Sequence, residues 1–271
     1  MSNTETLDVS AEKSRDRLKK SDRRQQILLE LKLRPHVRIS DLARRFNVST
    51  ETVRRDLDAL SSDGLIARAH GGASAPAQGH YPGLDERTNA RVDERERIGF
   101  RAAELVKDGE TVMIDSGSTT IQLARALAFR GTHCTVITNS IPVAMTLGHG
   151  APEVLLCPGE YLAAESALIG TETLEFLARF NVDRCLIGAS GLSAEGPSET
   201  VRGFAAVKRM MLSRATKRHL LIDSSKFGQK GLAHVGDMSD LNSIVVDAAP
   251  KGGLRAALDQ ADVEVIVARN A

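Results

Sequence analysis

Seven short aliphatic runs in the last two thirds of the chain constrain its fold most strongly. Each is five or six residues long and rich in Val, Ile and Leu: residues 111–115, 134–139, 153–158, 184–189, 219–224, 243–247 and 264–268. Most are separated by helical stretches, such as residues 120–129, 171–180 and 204–216, and a charged amphipathic helix is predicted over 91–106. Buried strands that alternate with helices predict an α/β domain with a mainly parallel sheet covered on both faces. Ligands of such sheets bind at the carboxyl ends of the strands.

A second pattern precedes this domain and centres on a predicted helix over residues 50–60. Ser49 is placed to cap it, and Val53, Leu57 and Leu60 form a buried stripe. The outer face then carries five polar residues: Thr50, Glu51, Arg54, Arg55 and Asp58. Two adjacent guanidiniums suit phosphate oxygens or guanine edges. The alternative is a solvated helix whose Arg pair is offset by Asp56 and Asp58.

The segments around this helix favour DNA binding. A helix is predicted over 23–33, with Ile27, Leu28 and Leu31 inward, and another over 40–46, with Ser40 as its cap and Leu42 and Phe46 inward. Asn47 makes the turn into the helix over residues 50–60, which is the candidate reader helix, the one that would contact base edges in DNA. A short strand over 65–68 and a basic glycine loop over 68–72 follow. This order predicts a winged helix-turn-helix domain.

The motifs of this module resemble those of the DeoR/GlpR-type bacterial transcription regulators. They are Val48-Ser49, Thr52-Val53-Arg54-Arg55-Asp56-Leu57 and Arg68-Ala69-His70-Gly71-Gly72, and the resemblance covers residues 21–271. It implies a DNA-binding regulator, most often a repressor released by a ligand. The expected DNA contacts are Ser49, Thr50, Glu51, Thr52, Arg54, Arg55, Arg68 and His70. The resemblance also implies that the second domain is similar in fold to ribose-5-phosphate isomerase, glucosamine-6-phosphate deaminase and the coenzyme A transferases.

One segment of the second domain suits a bound anion. Asp115-Ser116-Gly117-Ser118-Thr119-Thr120 follows a strand and opens a helix, so backbone N–H groups and hydroxyls would face a phosphate at the helix N-terminus. It looks like the family's Asp-x-Gly-[Ser/Thr]-Thr segment. A tight turn with Ser118 as the N-cap is the alternative.

Further effector contacts are implied by the resemblance: Asn139, Ser140, Gly159, Ser190 and Lys226. Asn139 can instead cap a turn, and Ser190 can simply close one. Pro158 departs from the family's Gly-Gly, which leaves the shape of that loop open. Lys226 lies in Asp223-Ser-Ser-Lys226-Phe-Gly228, where a single ammonium would neutralise a phosphomonoester. Its alternative is a surface ion pair with Asp223 or Asp247.

Charge and composition support this division into domains. Residues 1–73 hold 15 Lys+Arg and 11 Asp+Glu, a difference of +4, whereas residues 74–271 hold 21 and 24, a difference of −3. The basic share therefore lies in the DNA-binding part. We expect a disordered arm over 1–20, a DNA-binding domain over 21–73, a linker over 74–84 and an effector-sensing domain over 85–271.

Other classes of protein are disfavoured by the sequence. No apolar run of membrane-spanning length and no signal peptide is present, so a cytoplasmic protein is expected. Cys134, Cys157 and Cys185 are far apart in apolar runs, which suits reduced core thiols. No P-loop, dinucleotide fingerprint or zinc spacing occurs, so neither a cofactor nor a metal is expected.

Two functions remain from the sequence. The first is a repressor of sugar or polyol catabolic genes that is relieved by a phosphorylated sugar-type effector and that binds operator DNA as a homodimer or homotetramer. The second is a sugar-phosphate isomerase fused to a DNA-binding module. Isomerisation needs a carboxylate general base, for which Asp115, Glu160 and Glu195 are candidates, but no motif ties any of them to that role. A non-enzymatic regulator is therefore preferred.

Overall fold

The computed structural model describes residues 20–33, 36–62, 66–69, 71–74, 84–88 and 91–269. The chain divides into two compact units, Met1–His80 and Tyr81–Ala271. The division falls inside the predicted linker, although most of that linker and nearly all of the predicted arm lie outside the described residues. None of the described helices has both the length and the apolar character that a bilayer span requires.

The first unit contains three helices and a small antiparallel sheet. In chain order its elements are α1 (Lys20–Leu33), β1 (His36–Arg38), α2 (Ile39–Arg45), α3 (Thr50–Ser62), β2 (Ala67–Ala69) and β3 (Gly72–Ser74). The strand order is β1-β3-β2. The predicted inward residues of all three helices pack into one core, with Leu28 at its edge. The predicted winged helix-turn-helix architecture is confirmed.

Two local predictions for this unit were wrong. Ser40 is not a cap, because α2 begins one residue earlier, with the extended residue Arg38 at the N-cap position. The Ile39 N–H donates to the carbonyl of Gly71 at 2.9 Å, so the start of α2 is fixed by the wing. Gly72 belongs to a strand rather than to a loop, and β1 was not predicted. A strand of three residues, two of them exposed, gives almost no alternating pattern.

The second unit alternates strands and helices. In chain order its elements are α4 (Leu84–Thr88), α5 (Val92–Ala103), β4 (Thr111–Ile114), α6 (Ser118–Arg130), β5 (Thr135–Thr138), α7 (Ile141–Leu147), β6 (Glu153–Leu156), β7 (Glu160–Leu162), β8 (Ala167–Ile169), α8 (Thr171–Leu177), β9 (Val182–Ile187), β10 (Gly191–Ser193), β11 (Gly196–Glu199), α9 (Arg202–Arg214), β12 (Ala215–Leu221), β13 (Ala233–His234), β14 (Ser243–Val246), α10 (Gly252–Gln260) and β15 (Glu264–Val267). Short 3₁₀ turns occur at Ala163–Glu165, Ser224–Lys226 and Met238–Asp240.

All seven predicted strands form one sheet in the described part of this unit. The order is β15-β14-β12-β9-β4-β5-β6, and every neighbouring pair is parallel. Successive residues of β4 face opposite sides, so that Val112 and Ile114 enter one core and Met113 enters the other. The predicted α/β fold with a mainly parallel sheet is confirmed. Two small antiparallel additions, β7-β8 and β10-β11-β13, were not predicted.

The three cysteines lie inside these cores. Cys134, Cys157 and Cys185 are buried and free, as predicted. Burial raises the pKa of Cys134 to about 11 and the pKa of Cys157 and Cys185 to about 12. These thiols therefore stay protonated and inert near neutral pH.

Candidate functional site

The reader helix α3 begins as its sequence predicts. Ser49 Oγ accepts a hydrogen bond from the backbone N–H of Thr52 at 3.1 Å and lies 2.9 Å from Thr52 Oγ1. Asn47 adopts a left-handed conformation (φ 52°) in the turn before it. Asn tolerates this conformation better than most residues. The turn and the cap together set where α3 starts.

The outer face of α3 carries the predicted Arg pair. Arg54 and Arg55 have 56% and 78% of their side-chain surface exposed, and both lie beside Glu51, at N–O distances of 3.8 and 3.3 Å. Thr50 and Asp58 are exposed on the same helix. Exposed ion pairs contribute little stability. The two guanidiniums can therefore exchange Glu51 for DNA at low cost.

The inner face of α3 carries Asp56, whose charge the solvated-helix alternative set against the exposed Arg pair. The carboxylate of Asp56 is buried against the guanidiniums of Arg23 and Arg24 of α1. It therefore does not offset the exposed Arg pair, as the solvated-helix alternative supposed. Asp56 instead joins two helices of the domain.

The wing is formed by β2, β3 and the turn between them. Arg68 projects from β2 and lies 3.4 Å from Asp58 of α3. A Cβ at Gly72 would lie 2.0 Å from the carbonyl oxygen of Val37, so only glycine lets β3 pair with β1 here. His70, predicted as a DNA contact, lies outside the described residues.

A small cleft in the second unit lies where the strand order reverses. The chain runs from β4 to its neighbour β5 on one side, and from β9 to its neighbour β12 on the other side. The strand order therefore reverses between the adjacent strands β4 and β9. The cleft is small and partly open to solvent. Its lining residues are Arg87, Ser116, Gly117, Ser118, Thr119, Thr120, Gly188, Ala189, Glu199, Lys208 and Lys226.

The predicted anion loop forms one wall of this cleft. Thr120 Oγ1 donates within the loop, to the carbonyls of Asp115 and Gly117, each at 3.0 Å, and so maintains its shape. The N-cap of α6 is Gly117, so the alternative in which Ser118 caps the helix is wrong. Ser118 is 2% exposed, and its Oγ has no hydrogen-bond partner among the described residues. This buried hydroxyl and the first-turn N–H groups of α6 are available to a ligand.

Asp115 lies behind the cleft wall rather than in its lining. Its Oδ2 accepts hydrogen bonds from the Gly188 N–H, at 3.0 Å, and from Lys208 Nζ. Burial raises the pKa of Asp115, although the Lys208 ammonium opposes the shift. Asp115 therefore joins the ends of β4 and β9, while its other oxygen, Oδ1, is buried with no hydrogen-bond partner among the described residues. The effector contact predicted for Asp115 stays a prediction.

Lys208 is a lining residue that the sequence analysis missed. Only 2% of it is exposed, and its ammonium pairs with both Asp115 and Glu199. Burial would lower the pKa of Lys208, but the two carboxylates raise it above its usual range, so the group stays charged. Lys208 lies four residues from both Phe204 and Leu212, which are buried on α9. A lysine at a buried helical position was the available signal.

Lys226 has the position that its motif predicts. Its Nζ donates to the carbonyl of Ala189 at 2.6 Å and lines the cleft. The two carboxylates proposed as alternative partners are otherwise engaged: Asp223 pairs with Arg95, and Asp247 with Arg91. Although burial opposes it, Lys226 and Arg95 lower the pKa of Asp223. Lys226 forms no ion pair with any carboxylate of the described residues.

Four other predicted effector contacts lie outside the lining. Asn139 donates to the carbonyl of Leu168 at 2.9 Å, and Ser140 caps α7 by accepting from the Val143 N–H. Gly159 has φ 141°, and a Cβ there would lie 2.1 Å from Thr173 Oγ1. Thr173 also donates to the carbonyl of Pro158 at 2.6 Å, which holds this loop. None of these three positions lines the cleft, and the effector contacts predicted for them stay predictions.

Ser190, the fourth, supports a lining residue. Its hydroxyl donates to Glu199 and accepts a hydrogen bond from the Thr200 N–H at 3.4 Å. Arg87 and Glu199, both in the lining, were missed. Arg87 pairs with Glu165, a carboxylate whose pKa is raised by burial in spite of Arg87. Such long-range ion pairs leave no local pattern in a sequence.

The charges of the lining leave one cation for a ligand. Arg87 pairs with Glu165, and Lys208 is shared by two carboxylates, whereas Lys226 contacts only a backbone carbonyl among the described groups. None of the carboxylates proposed as an isomerase base lines the cleft: Asp115 lies behind it, Glu160 is exposed and Glu195 pairs with Lys230 at the surface. The described residues also contain no cluster suited to a metal ion.

Comparison with known families covers both units. Residues 23–78 match the DeoR-like helix-turn-helix domain, and residues 90–248 match the DeoR C terminal sensor domain. The chain belongs to the DeoR family. This DeoR-family protein is therefore a DNA-binding transcription regulator, and the interpretation as an isomerase-type enzyme is not favoured.

Its relatives match along most of their length. The glycerol-3-phosphate regulon repressor of Escherichia coli (strain K12) is 31% identical over 86% of this chain and 93% of its own. The transcriptional repressor GlcR of Bacillus subtilis (strain 168) is 32% identical over 87% and 92%. Among solved structures, ribose 5-phosphate isomerase A of Methanocaldococcus jannaschii is 19% identical, with a TM-score of 0.39, over 51% of this chain and 55% of its own.

Proposed function

We propose that this DeoR-family regulator is a repressor of sugar or polyol catabolic genes that binds a specific operator and is released by a phosphorylated sugar-type effector. The effector would occupy the cleft of the second unit. This extends the family assignment, which establishes a DNA-binding regulator, to a class of ligand and a direction of response.

The single observation that carries the proposal is the composition of one cleft wall. The first turn of α6 presents backbone N–H groups, and Ser118 adds a buried hydroxyl that has no partner in the described structure. Lys226 supplies the cation beside them. A helix N-terminus with a nearby ammonium matches a phosphomonoester in both charge and hydrogen-bond donors. We assign Ser116, Gly117, Ser118, Thr119, Thr120 and Lys226 to the phosphate.

The DNA contacts are proposed from the exposed face of the first unit. Arg54 and Arg55 would contact the major groove, with Ser49, Thr50, Glu51 and Thr52 at the start of the same helix and Arg68 and His70 at the wing. One reader helix contacts only a few base pairs. A homodimer or homotetramer is therefore expected to bind a pair of half-sites.

The names of two relatives favour repression and a link to carbohydrate genes. One is the glycerol-3-phosphate regulon repressor already described, and another is the lactose phosphotransferase system repressor of Streptococcus mutans, 30% identical over 85% of this chain and 93% of its own. We transfer to this chain the repressor role and the general class of regulated genes.

The decisive experiment compares phosphorylated and free sugars. A panel of sugar and polyol phosphates, with the matching free compounds, is screened by thermal shift on the full chain. A ligand at 100 times its Kd adds about 2.7 kcal/mol of stability. Operator DNA selected from random sequence is then titrated with each stabilising compound. Release of DNA by a phosphorylated compound and not by its free form supports the proposal, and equal release by both forms rejects the phosphate site.

A further inference from the structure

Glu199 is the acidic residue of the cleft lining among the described residues. It ends β11, and 6% of it is exposed. The cleft otherwise presents donors: hydroxyls, N–H groups and ammonium or guanidinium groups. A carboxylate beside a proposed phosphate site is unfavourable for phosphate binding, so its presence calls for a chemical explanation.

The position of Glu199 is fixed by several neighbours. Its Oε1 lies 3.2 Å from Lys208 Nζ, and its Oε2 accepts a hydrogen bond from Ser190 Oγ. Its backbone pairs with Ala233 of β13, and a Cβ at Gly231 would lie 2.5 Å from the Glu199 carbonyl carbon. The side chain therefore has little freedom to withdraw when a ligand enters.

The carboxylate keeps acceptor capacity that these neighbours do not use. Each carboxylate oxygen can accept about two hydrogen bonds, and the structure gives one partner to each oxygen of Glu199. A ligand hydroxyl can donate to the remaining lone pairs. A second anionic group on the ligand would instead meet a carboxylate, because the Lys208 ammonium is already shared with Asp115.

We propose that Glu199 is a specificity-determining residue that admits phosphomonoesters whose remaining groups are neutral hydroxyls and rejects those with a second anionic group. This inference rests on the proposed function. The cleft is small, so a second anion that enters it together with the phosphate lies close to Glu199. Like charges placed together in a partly buried site repel each other strongly, because solvent screens them little.

The test uses three pairs of commercially available probes on the full chain. Each pair sets a neutral-ended monophosphate against a ligand with a second anion: glycerol 3-phosphate against 3-phosphoglycerate, glucitol 6-phosphate against 6-phosphogluconate, and fructose 6-phosphate against fructose 1,6-bisphosphate. Apparent Kd values come from thermal-shift titrations of the wild type and of Glu199→Gln. The amide preserves the shape of the side chain: its oxygen can still accept a hydrogen bond from Lys208, and its NH2 can donate to the Ser190 hydroxyl, which can also act as an acceptor.

A matched control removes a similar charge outside the lining. Glu165 is 7% exposed and pairs with the lining residue Arg87, but it does not line the cleft. Glu165→Gln therefore changes the net charge near the cleft by the same amount. If selectivity depends on contact with Glu199, the Glu165 variant shifts both members of a pair alike, whereas the Glu199 variant changes their ratio.

The wild type is expected to bind the preferred monophosphate at least about tenfold more tightly than its doubly anionic partner. Glu199→Gln should reduce that ratio about tenfold or more and weaken the monophosphate by a smaller factor. An unchanged ratio, or an equal change in Glu165→Gln, overturns the role of Glu199 and leaves the phosphate site standing. If no phosphate stabilises either protein, the proposed function itself fails. If Glu199→Gln does not fold, the wild-type titrations decide: equal binding of both members in all three pairs overturns the role of Glu199.

Discussion

Asp56 of α3 forms an ion pair with Arg23 of α1, and both side chains are buried in the core of the first unit. Arg24 lies 3.3 Å from the other oxygen of the same carboxylate. The reader helix thus carries arginines on its outer face and a carboxylate for two more arginines on its inner face. The pair fixes α3 against α1, and through that contact the direction in which Arg54 and Arg55 project.

Asp56→Asn should destabilise the first unit by about 3 kcal/mol, because it removes the buried carboxylate charge that the guanidiniums of Arg23 and Arg24 share. Hydrogen exchange of the α3 amides, read by mass spectrometry on the full chain, measures this loss. The control is Asp58→Asn, which removes an exposed carboxylate two residues away that pairs with Arg68. A loss as small as in the control would show that the Asp56 pair does not hold α3.

Arg54→Ala and Arg55→Ala should each weaken operator binding. If a guanine contact is lost, affinity falls by about 1–3 kcal/mol and the loss depends on one base position. If a phosphate contact is lost, affinity falls equally for all sequences. Arg255→Ala is the matched control, since Arg255 pairs with Asp259 at i,i+4 on a surface helix of the other unit, as Arg55 does with Glu51. Electrophoretic mobility shifts measure all three, and unchanged affinity in both reader variants would reject α3 as the reader.

Lys226→Ala should weaken the phosphorylated ligand by about 1.5–3 kcal/mol, the contribution of a hydrogen bond to a charged group. DNA binding without ligand should survive, so the variant stays on its operator at ligand concentrations that release the wild type. Titration of a fluorescent operator complex measures this. Lys230→Ala, which removes an exposed lysine paired with Glu195, should release DNA as the wild type does. Normal release of DNA from Lys226→Ala would remove that residue from the site.

His219 should make the stability of the second unit depend on pH. Burial, and then Arg184 and Lys217, lower the pKa of His219 from 6.5 to about 4. Arg184 lies 3.3 Å from Nε2 and can only donate, so Nδ1 carries the proton and donates to Ser243 Oγ at 2.8 Å. The folded state therefore holds a neutral imidazole.

The unfolded chain protonates His219 first, so its contribution is full above about pH 6.5 and declines as the pH falls toward 4. The limiting slope is about 1.4 kcal/mol per pH unit. Urea unfolding of the wild type and of His219→Gln at pH 7, 6 and 5 measures this. The variant starts less stable, and the difference between the two proteins should shrink on acidification. A constant difference would mean that His219 titrates alike in both states.

The sequence predicts the large elements of this fold because their determinants are local. The seven aliphatic runs became the seven parallel strands, with ends that moved by only a few residues. The missed strands are two to four residues long, too short for a clear alternating pattern: β1, β3, β7, β8, β10, β11 and β13. Two of them, β1 and β13, also pair with strands distant in the chain. The cap of α2 was misplaced for the same reason, since the Gly71 carbonyl decides where that helix begins.

The residues of the candidate site also divide into those with a local sequence signal and those without one. The loop from Ser116 to Thr120 and Lys226 lie in motifs and come together at the cleft. Lys208 and Glu199 are missing from the prediction because a buried charge is identified by its partners, and Asp115 is 93 positions away from Lys208. Asp115 itself was assigned to the ligand, but one of its oxygens, Oδ2, is bound by that lysine.

The lining of the cleft extends along the chain from Arg87 to Lys226, whereas the first unit ends at His80. Domains fold as units during synthesis, the N-terminal one first. A ribosome therefore completes the DNA-binding unit well before it completes the cleft proposed to bind the effector. Premature termination between these two points yields fragments that carry the first unit and lack a complete cleft, so any DNA binding that they retain is insensitive to the effector.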